Sequence, residues 1–273
     1  MKIFLCTWGA KLRKNPYFCK QNQKYMLSKN QIKLIRSLEL KKNRKRENLF
    51  VAEGPKVVGD LLKAGFTAKA VFSRSEEGGV WSEKCNTQLV TDDELRRISF
   101  LQHPQEILAL FEIPSSNHIS HLSSLTSHLL LALDGIQDPG NLGTIIRIAD
   151  WFGISTIFCS QDTADCYNPK VVQATMGSIA HVNIIYGDLV KLLSETTLPV
   201  YGTLLDGENI YQQELTKEGI IVMGNEGNGI SQEVRPLITH RLLIPNFSTQ
   251  GETAESLNVA IATAITCSEF RRR

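Results

Sequence analysis

The chain has 273 residues, 42% hydrophobic and 21% charged, which fits a soluble protein of two modest domains and excludes disorder throughout. No run approaches the roughly 18 apolar residues of a membrane span, and Ile3 to Cys6 is too short for a secretory leader, so a cytoplasmic protein is expected. The net charge of +2 hides an asymmetry: residues 1–46 hold fourteen Lys and Arg against one acid, Glu39, a local +13 that leaves −11 for the rest; such a basic segment points to a polyanion, because each cation that meets a phosphate releases a condensed counterion.

Residues 1–25 read as a basic extension ahead of Met26, an alternative candidate start. From Ser28, a natural N-cap, Ile32, Ile35 and Leu38 share one face of a helix that continues into a basic end. That end, Lys41, Lys42, Arg44, Lys45 and Arg46, is the expected RNA-binding stretch. A strand over 49–52, a turn at Gly54-Pro55, a helix over 56–64, a strand over 70–73, a helix from Thr91 with three acids in its first turn, and a strand over 106–112 complete a small α/β unit, residues 26–113. The Ser-rich stretch 114–127 reads as a linker.

In residues 128–273 the alternation is clearer. Leu129 to Leu133 is a continuous apolar run, as in a strand buried on both faces of a parallel sheet. After the 134–140 loop, Asn141 is positioned to cap a helix whose Leu142, Ile145, Ile146, Ala149 and Phe152 recur at the spacing of a buried face, and Gly153 ends it. Strands over 156–159, 182–186, 200–205, 220–223 and 241–244 alternate with helices near 170–175 and 189–193, which implies an open, largely parallel sheet covered on both faces. An amphipathic helix from Leu257 to Phe270 ends in three arginines at the negative end of its dipole. The six cysteines form no C-x-x-C pair and the histidines show no ligand spacing, so reduced thiols and no metal are expected.

Ligands of an open parallel sheet sit beyond the carboxyl ends of its strands. Three segments there carry chemistry. The first runs from Asp134 to Gly143 with Arg147 following, a cation on an otherwise apolar helix whose structural alternative is an i,i+3 pair with Asp150. The second is Gly224-Asn-Glu-Gly-Asn-Gly-Ile230, where glycines let a ligand approach the backbone. The third joins Ile244-Pro245 to Ser256, Leu257 and Asn258 at the start of the last helix, with Ser256 as a candidate N-cap.

Together D-P-G-N-L-G-T-I-I-R (138–147), N-E-G-N-G-I (225–230) and I-P followed by S-L-N-V-A-I-A (256–262) resemble the three motifs of the SpoU/TrmH group of SPOUT methyltransferases. Residues 168–178 look like that group's intermediate segment, and Phe50 to Gly54 with the next helix resemble the small RNA-binding domain, similar to a ribosomal-protein fold, that many members carry. The resemblance implies an α/β SPOUT domain knotted into a trefoil around an S-adenosylmethionine pocket, a homodimer through the C-terminal domain, and methylation of a ribose 2'-hydroxyl of ribosomal or transfer RNA. Periodicity shows no knot, and general rules alone give a doubly wound sheet. The sequence departs from the pattern in a longer 246–255 segment, in Ile148 after the motif arginine and in Met176.

The resemblance makes Arg147 the central catalytic residue and proton acceptor. A guanidinium holds its proton to above about pH 12, so the chemistry supports equally well an Arg147 that clamps a phosphate and stabilises the forming alkoxide, with Glu226 orienting it or accepting the proton. Asn141 is expected to position the ribose or hold the loop. The expected cofactor-binding residues are Thr203, Leu204, Gly224, Asn225, Ile244, Ser256, Leu257 and Asn258. A non-catalytic RNA-binding or ribosome-assembly factor of the same fold is the alternative. A dehydrogenase is disfavoured by the missing phosphate-binding glycine patterns.

Overall fold

The computed structural model describes residues 26–75, 87–114, 129–248 and 255–272. The extension 1–25 and nearly all of the expected linker lie outside the described residues.

Ser28 starts helix α1 (Lys29–Ser37) through a capping box, its Oγ accepting from the Gln31 N–H at 3.1 Å while the Gln31 side chain accepts from the Ser28 N–H at 2.9 Å. The expected single helix is in fact two, because the chain breaks at Leu38 to Leu40 and resumes as α2 (Lys41–Glu47). The carbonyls left open at the break are satisfied from α2: Asn43 donates to Ser37 at 2.8 Å, and Arg44 donates to Leu38 and Glu39 at 2.7 Å each.

Next come β1 (Leu49–Glu53), α3 (Pro55–Lys63), β2 (Ala68–Ser73), β3 (Thr87–Leu89), α4 (Asp92–Ile98) and β4 (Ile107–Glu112). They form a four-stranded sheet in the order β1-β4-β2-β3, antiparallel except for β2 with β3. Strand β3 is additional to the elements expected from periodicity, since three residues show no period.

The second unit holds β5 (Leu129–Asp134), α5 (Pro139–Trp151), β6 (Thr156–Cys159), α6 (Pro169–Ala174), β7 (Asn183–Tyr186), α7 (Leu189–Glu195), β8 (Val200–Asn209), β9 (Gly219–Gly224), β10 (His240–Leu243) and α8 (Val259–Arg272). Its sheet runs β10-β8-β9-β5-β6-β7, and every neighbouring pair is parallel. Strand β5 is buried along its whole length. Alternation sends Leu129, Leu131 and Leu133 into one apolar cluster with Ile145, Ile146 and Ala149 of α5, and Leu130 and Ala132 into another with Leu189, Leu192 and Leu193 of α7.

The two units share a core. Phe50, Val57 and Phe111 of the first pack with Val172 and Ile179 of the second, and the Phe50 ring lies 4.7 Å from that of Tyr167. Beside this junction the Arg44 guanidinium reaches Asp165 at 2.6 Å.

Candidate active site

At the end of β5, Gly135 takes φ +71, which glycine adopts without strain. Its N–H donates to Ser160 Oγ at 2.9 Å and its carbonyl accepts from the Asn225 side chain at 2.6 Å. Helix α5 then starts three residues earlier than expected. Asp138, not Asn141, is the N-cap: its carboxylate accepts from the Asn141 N–H at 2.8 Å, and Pro139 takes the first helical position. Relieved of capping, the Asn141 side chain bonds twice, its amide donating to Glu226 at 3.0 Å and its carbonyl accepting from the Asn258 amide at 2.9 Å.

Glu226 projects from a turn closed by Asn225 and Gly229, which exchange two backbone hydrogen bonds of 2.9 Å. Gly224 is required there, since a Cβ would lie 2.3 Å from the backbone of Gly229. The Glu226 carboxylate also accepts from the N–H groups of Gln137 and Asp138 at 3.4 and 3.3 Å, just ahead of α5, where an anion is favoured. Helix α8 begins at Val259, and Asn258, not Ser256, supplies the capping oxygen, accepting from the N–H groups of Ala260 and Ile261 at 3.0 and 3.3 Å. Helices α5 and α8 run side by side in one direction: Asn258 meets Asn141 at their starts, and Arg271 donates to the carbonyls of Phe152 and Gly153 at 2.8 and 3.0 Å at their ends.

Arg147 is exposed two turns into α5 and, among the described residues, makes no hydrogen bond or ion pair. The pairing with Asp150 is not formed; Asp150 instead sits 3.1 Å from His181 Nδ1. Nor does Glu226 orient the guanidinium, because its oxygens are turned toward the loop ahead of α5.

Of the expected cofactor residues, Gly224 ends β9, Asn225 and Ile244 directly follow β9 and β10, Thr203 and Leu204 lie within β8, and Asn258 meets Asn141 at the start of α8. Strand β8 pairs with β9 only over Val200 to Gly202 and with β10 at Tyr201, Gly202, Glu208 and Asn209, so Thr203 to Gly207 leave both ladders. The backbone groups freed there suit the hydrogen-bonding edge of a nucleoside. Thr203 and Ile244 are half-buried, and Leu257 is 50% exposed, an apolar surface suited to the faces of a heterocycle. The residues present therefore fit S-adenosylmethionine.

A family model described as the SpoU rRNA Methylase family matches residues 128–268. The chain belongs to the SpoU rRNA methylase family. An MRM3-like substrate binding domain matches residues 29–109. A curated relative from Bacillus subtilis (strain 168), the 23S rRNA (guanosine(2553)-2'-O)-methyltransferase RlmP, is 31% identical over 245 residues, 87% of this chain and 95% of the relative. Among solved structures, a TrmH-family protein from Porphyromonas gingivalis is 41% identical with a TM-score of 0.78, covering 90% of this chain and 99% of that one. The AdoMet-bound rRNA methyltransferase from Sinorhizobium meliloti is 31% identical with a TM-score of 0.79, covering 91% and 97%. The fold class is the SPOUT class expected from the motifs, the chain is an RNA 2'-O-methyltransferase dependent on S-adenosylmethionine, and the non-catalytic alternative is set aside.

Of the basic stretch on this SpoU-family chain, Lys41, Lys42, Lys45 and Arg46 are exposed. Arg44 is a correction: it is 1% exposed, and its guanidinium is engaged by Asp165 and by the carbonyls at the end of α1, so it is not presented to RNA. Sequence reasoning also missed Ser160 and Asp162. Ser160 Oγ accepts from Gly135 and donates to Asp162, bracing the first motif loop from the end of β6. A Ser-x-Asp directly after a predicted strand of the same sheet was the available signal. Burial pushes the thiols of Cys166 and Cys267 up to about 12, so neither serves as a nucleophile.

Proposed function

We propose that the chain methylates a ribose 2'-hydroxyl of ribosomal RNA, with Arg147 meeting the reacting nucleotide and Asn141, Glu226 and Asn258 forming the frame around it. The chain of bonds Glu226–Asn141–Asn258 carries this reading, because it brings all three motif segments to one place. When bound, S-adenosylmethionine supplies a methyl carbon on a positively charged sulfur. Thr203, Leu204, Gly224, Asn225, Ile244, Ser256, Leu257 and Asn258 hold and enclose it. It would give up that carbon to the ribose 2'-oxygen, with the sulfur keeping the electron pair of the broken bond. Arg147, a cation without a partner among the described residues, binds the adjoining phosphate and stabilises the negative charge developing on the oxygen. The hydroxyl proton leaves to solvent on the open face, while Glu226 stays committed to the loop.

The relatives named as acting on guanosine of 23S rRNA support a large-subunit ribosomal RNA as the substrate, and such a substrate implies action in the cytoplasm. Trp151, 85% exposed, lies one turn beyond Arg147 on α5, and Ile261, 52% exposed, lies on the neighbouring α8. Apolar surface of this kind supports a homodimer through the C-terminal domain, with Arg147 near the interface. The test is calorimetry with S-adenosylmethionine followed by nucleoside mass spectrometry of 23S rRNA incubated with both. Micromolar binding and a new 2'-O-methylated nucleoside are expected; binding without any new nucleoside refutes the assignment.

A further inference from the structure

Between the two units lies a cavity of about 270 Å³, walled by Val51, Glu53, Phe100 and Leu101 on one side and by α6, from Pro169 to Ala174, on the other. That is roughly the share of nine waters, room for one planar heterocycle and below the usual size of a site for a larger organic ligand.

We propose that this cavity receives an unpaired base of the substrate RNA, one with N–H donors on its edge, bound by Glu53 and Gln173 beside the ring of Phe100. Glu53 is 5% exposed, and its carboxylate accepts from Ser99 Oγ and, at 2.8 Å, from the Phe100 N–H. Two carboxylate oxygens offer about four acceptor sites, of which these donors use two. A buried carboxylate disfavours a phosphate or another anion as the occupant and favours a neutral donor edge. The Phe100 ring already carries the Arg36 guanidinium at 4.6 Å from its centroid, and it offers the cavity an aromatic surface of the kind on which bases stack. Lys170, exposed on the α6 wall, is a cation for the attached phosphate.

The position favours RNA over a free nucleotide. The first unit also presents Lys41, Lys42, Lys45 and Arg46. Helix α6 packs on α5 so closely that a Cβ at Gly143 would meet Ala174 at 2.4 Å and the Val171 carbonyl at 2.9 Å. The cavity is therefore separated only by α6 from the helix bearing Asn141 and Arg147, an axis-to-axis step of about 8–10 Å. A base held there belongs to a nucleotide close to the one being methylated. This assignment rests on the proposed function and adds a determinant of which RNA is accepted.

Gln173→Trp fills the cavity from its half-buried rim. With a 23S rRNA transcript as substrate, the KM for RNA is expected to rise about tenfold or more, while kcat and the affinity for S-adenosylmethionine stay within twofold. An unchanged KM overturns the proposal. In a second arm, transcripts carrying 4-thiouridine or 6-thioguanosine are irradiated with the full-length protein, and the crosslinked peptides are identified by mass spectrometry. Crosslinks at Phe100–Leu101 or Lys170–Gln173 that Gln173→Trp abolishes support the cavity; crosslinks confined to other segments overturn it. The second arm needs no turnover, so a wild type that transfers no methyl group refutes the reaction without deciding the cavity's occupant.

Discussion

Asn141 and Glu226 are 85 residues apart in the chain and 3.0 Å apart in space. The bond ties the first motif segment to the second, and the Asn141 carbonyl ties both to Asn258 of the third. Asn141→Ala removes both bonds, and because Glu226 and Asn258 are exposed, water takes the place of the lost partner and the fold is little affected. The expected result is an affinity for S-adenosylmethionine lowered about tenfold or more in calorimetry, with an unchanged circular dichroism spectrum. Unchanged affinity would mean that the three segments hold their places without Asn141.

The buried pair of Arg44 and Asp165 sets a structural cation apart from its exposed basic neighbours. Removing one partner leaves a buried charge uncompensated, so Arg44→Ala is expected to lower unfolding stability in urea by about 3–5 kcal/mol. A joint Lys42→Ala, Lys45→Ala change is expected to leave stability within about 0.5 kcal/mol. It should also flatten the salt dependence of RNA binding, by a slope of about 0.7–0.9 for each phosphate that is no longer neutralised. A stable Arg44→Ala protein with a flattened salt slope contradicts this division.

Burial raises the Glu53 carboxyl above its ordinary value of 4.5, against the lowering influence of Ser99, the Phe100 N–H and Arg36. The folded state therefore keeps this proton to higher pH than the unfolded chain does, and the group's contribution to stability falls as pH rises from 4.5 through its folded value. Relative to Glu53→Gln, the wild type should melt at a higher temperature at pH 4 than it does at pH 7. A relative gain for the wild type on going from pH 4 to pH 7 is the opposite outcome.

Trp151 tests the assembly. Trp151→Asp places a charge on the exposed face of α5 one turn beyond Arg147. Light scattering after gel filtration is expected to show a dimeric wild type and a monomeric variant with reduced methyl transfer. A monomeric, active wild type removes the dimer from the scheme.

The apolar run of β5 and the helical period of α5 were legible because burial on two faces and on one stripe leave distinct patterns. Caps were less so. Asp138 and Asn141 are both good N-caps, three residues apart, and Pro139, which prefers the first helical turn, decides for Asp138. At α8 the capping oxygen comes from Asn258 where Ser256 was expected, leaving Ser256 and Leu257 outside the helix. The break between α1 and α2 carries no glycine or proline, and it is stabilised by the side chains of Asn43 and Arg44, which local propensity does not weigh. Arg44 itself read as one cation in a basic run because its partner, Asp165, lies 121 residues away. The three motif segments were recognisable as motifs, whereas the Glu226 bonds to the loop ahead of α5 emerge only once β5 and β9 are paired.

The most direct test of the central claim is the quantity of 2'-O-methylated nucleoside formed on 23S rRNA by the wild type and by Arg147→Ala, measured by mass spectrometry with the affinity for S-adenosylmethionine determined alongside. If Arg147 stabilises the charge on the reacting oxygen, the wild type methylates, turnover is lower by about 10² or more in the variant, and cofactor affinity is equal within twofold. Equal turnover in the two proteins, or no methylated nucleoside from a wild type that binds the cofactor, contradicts it.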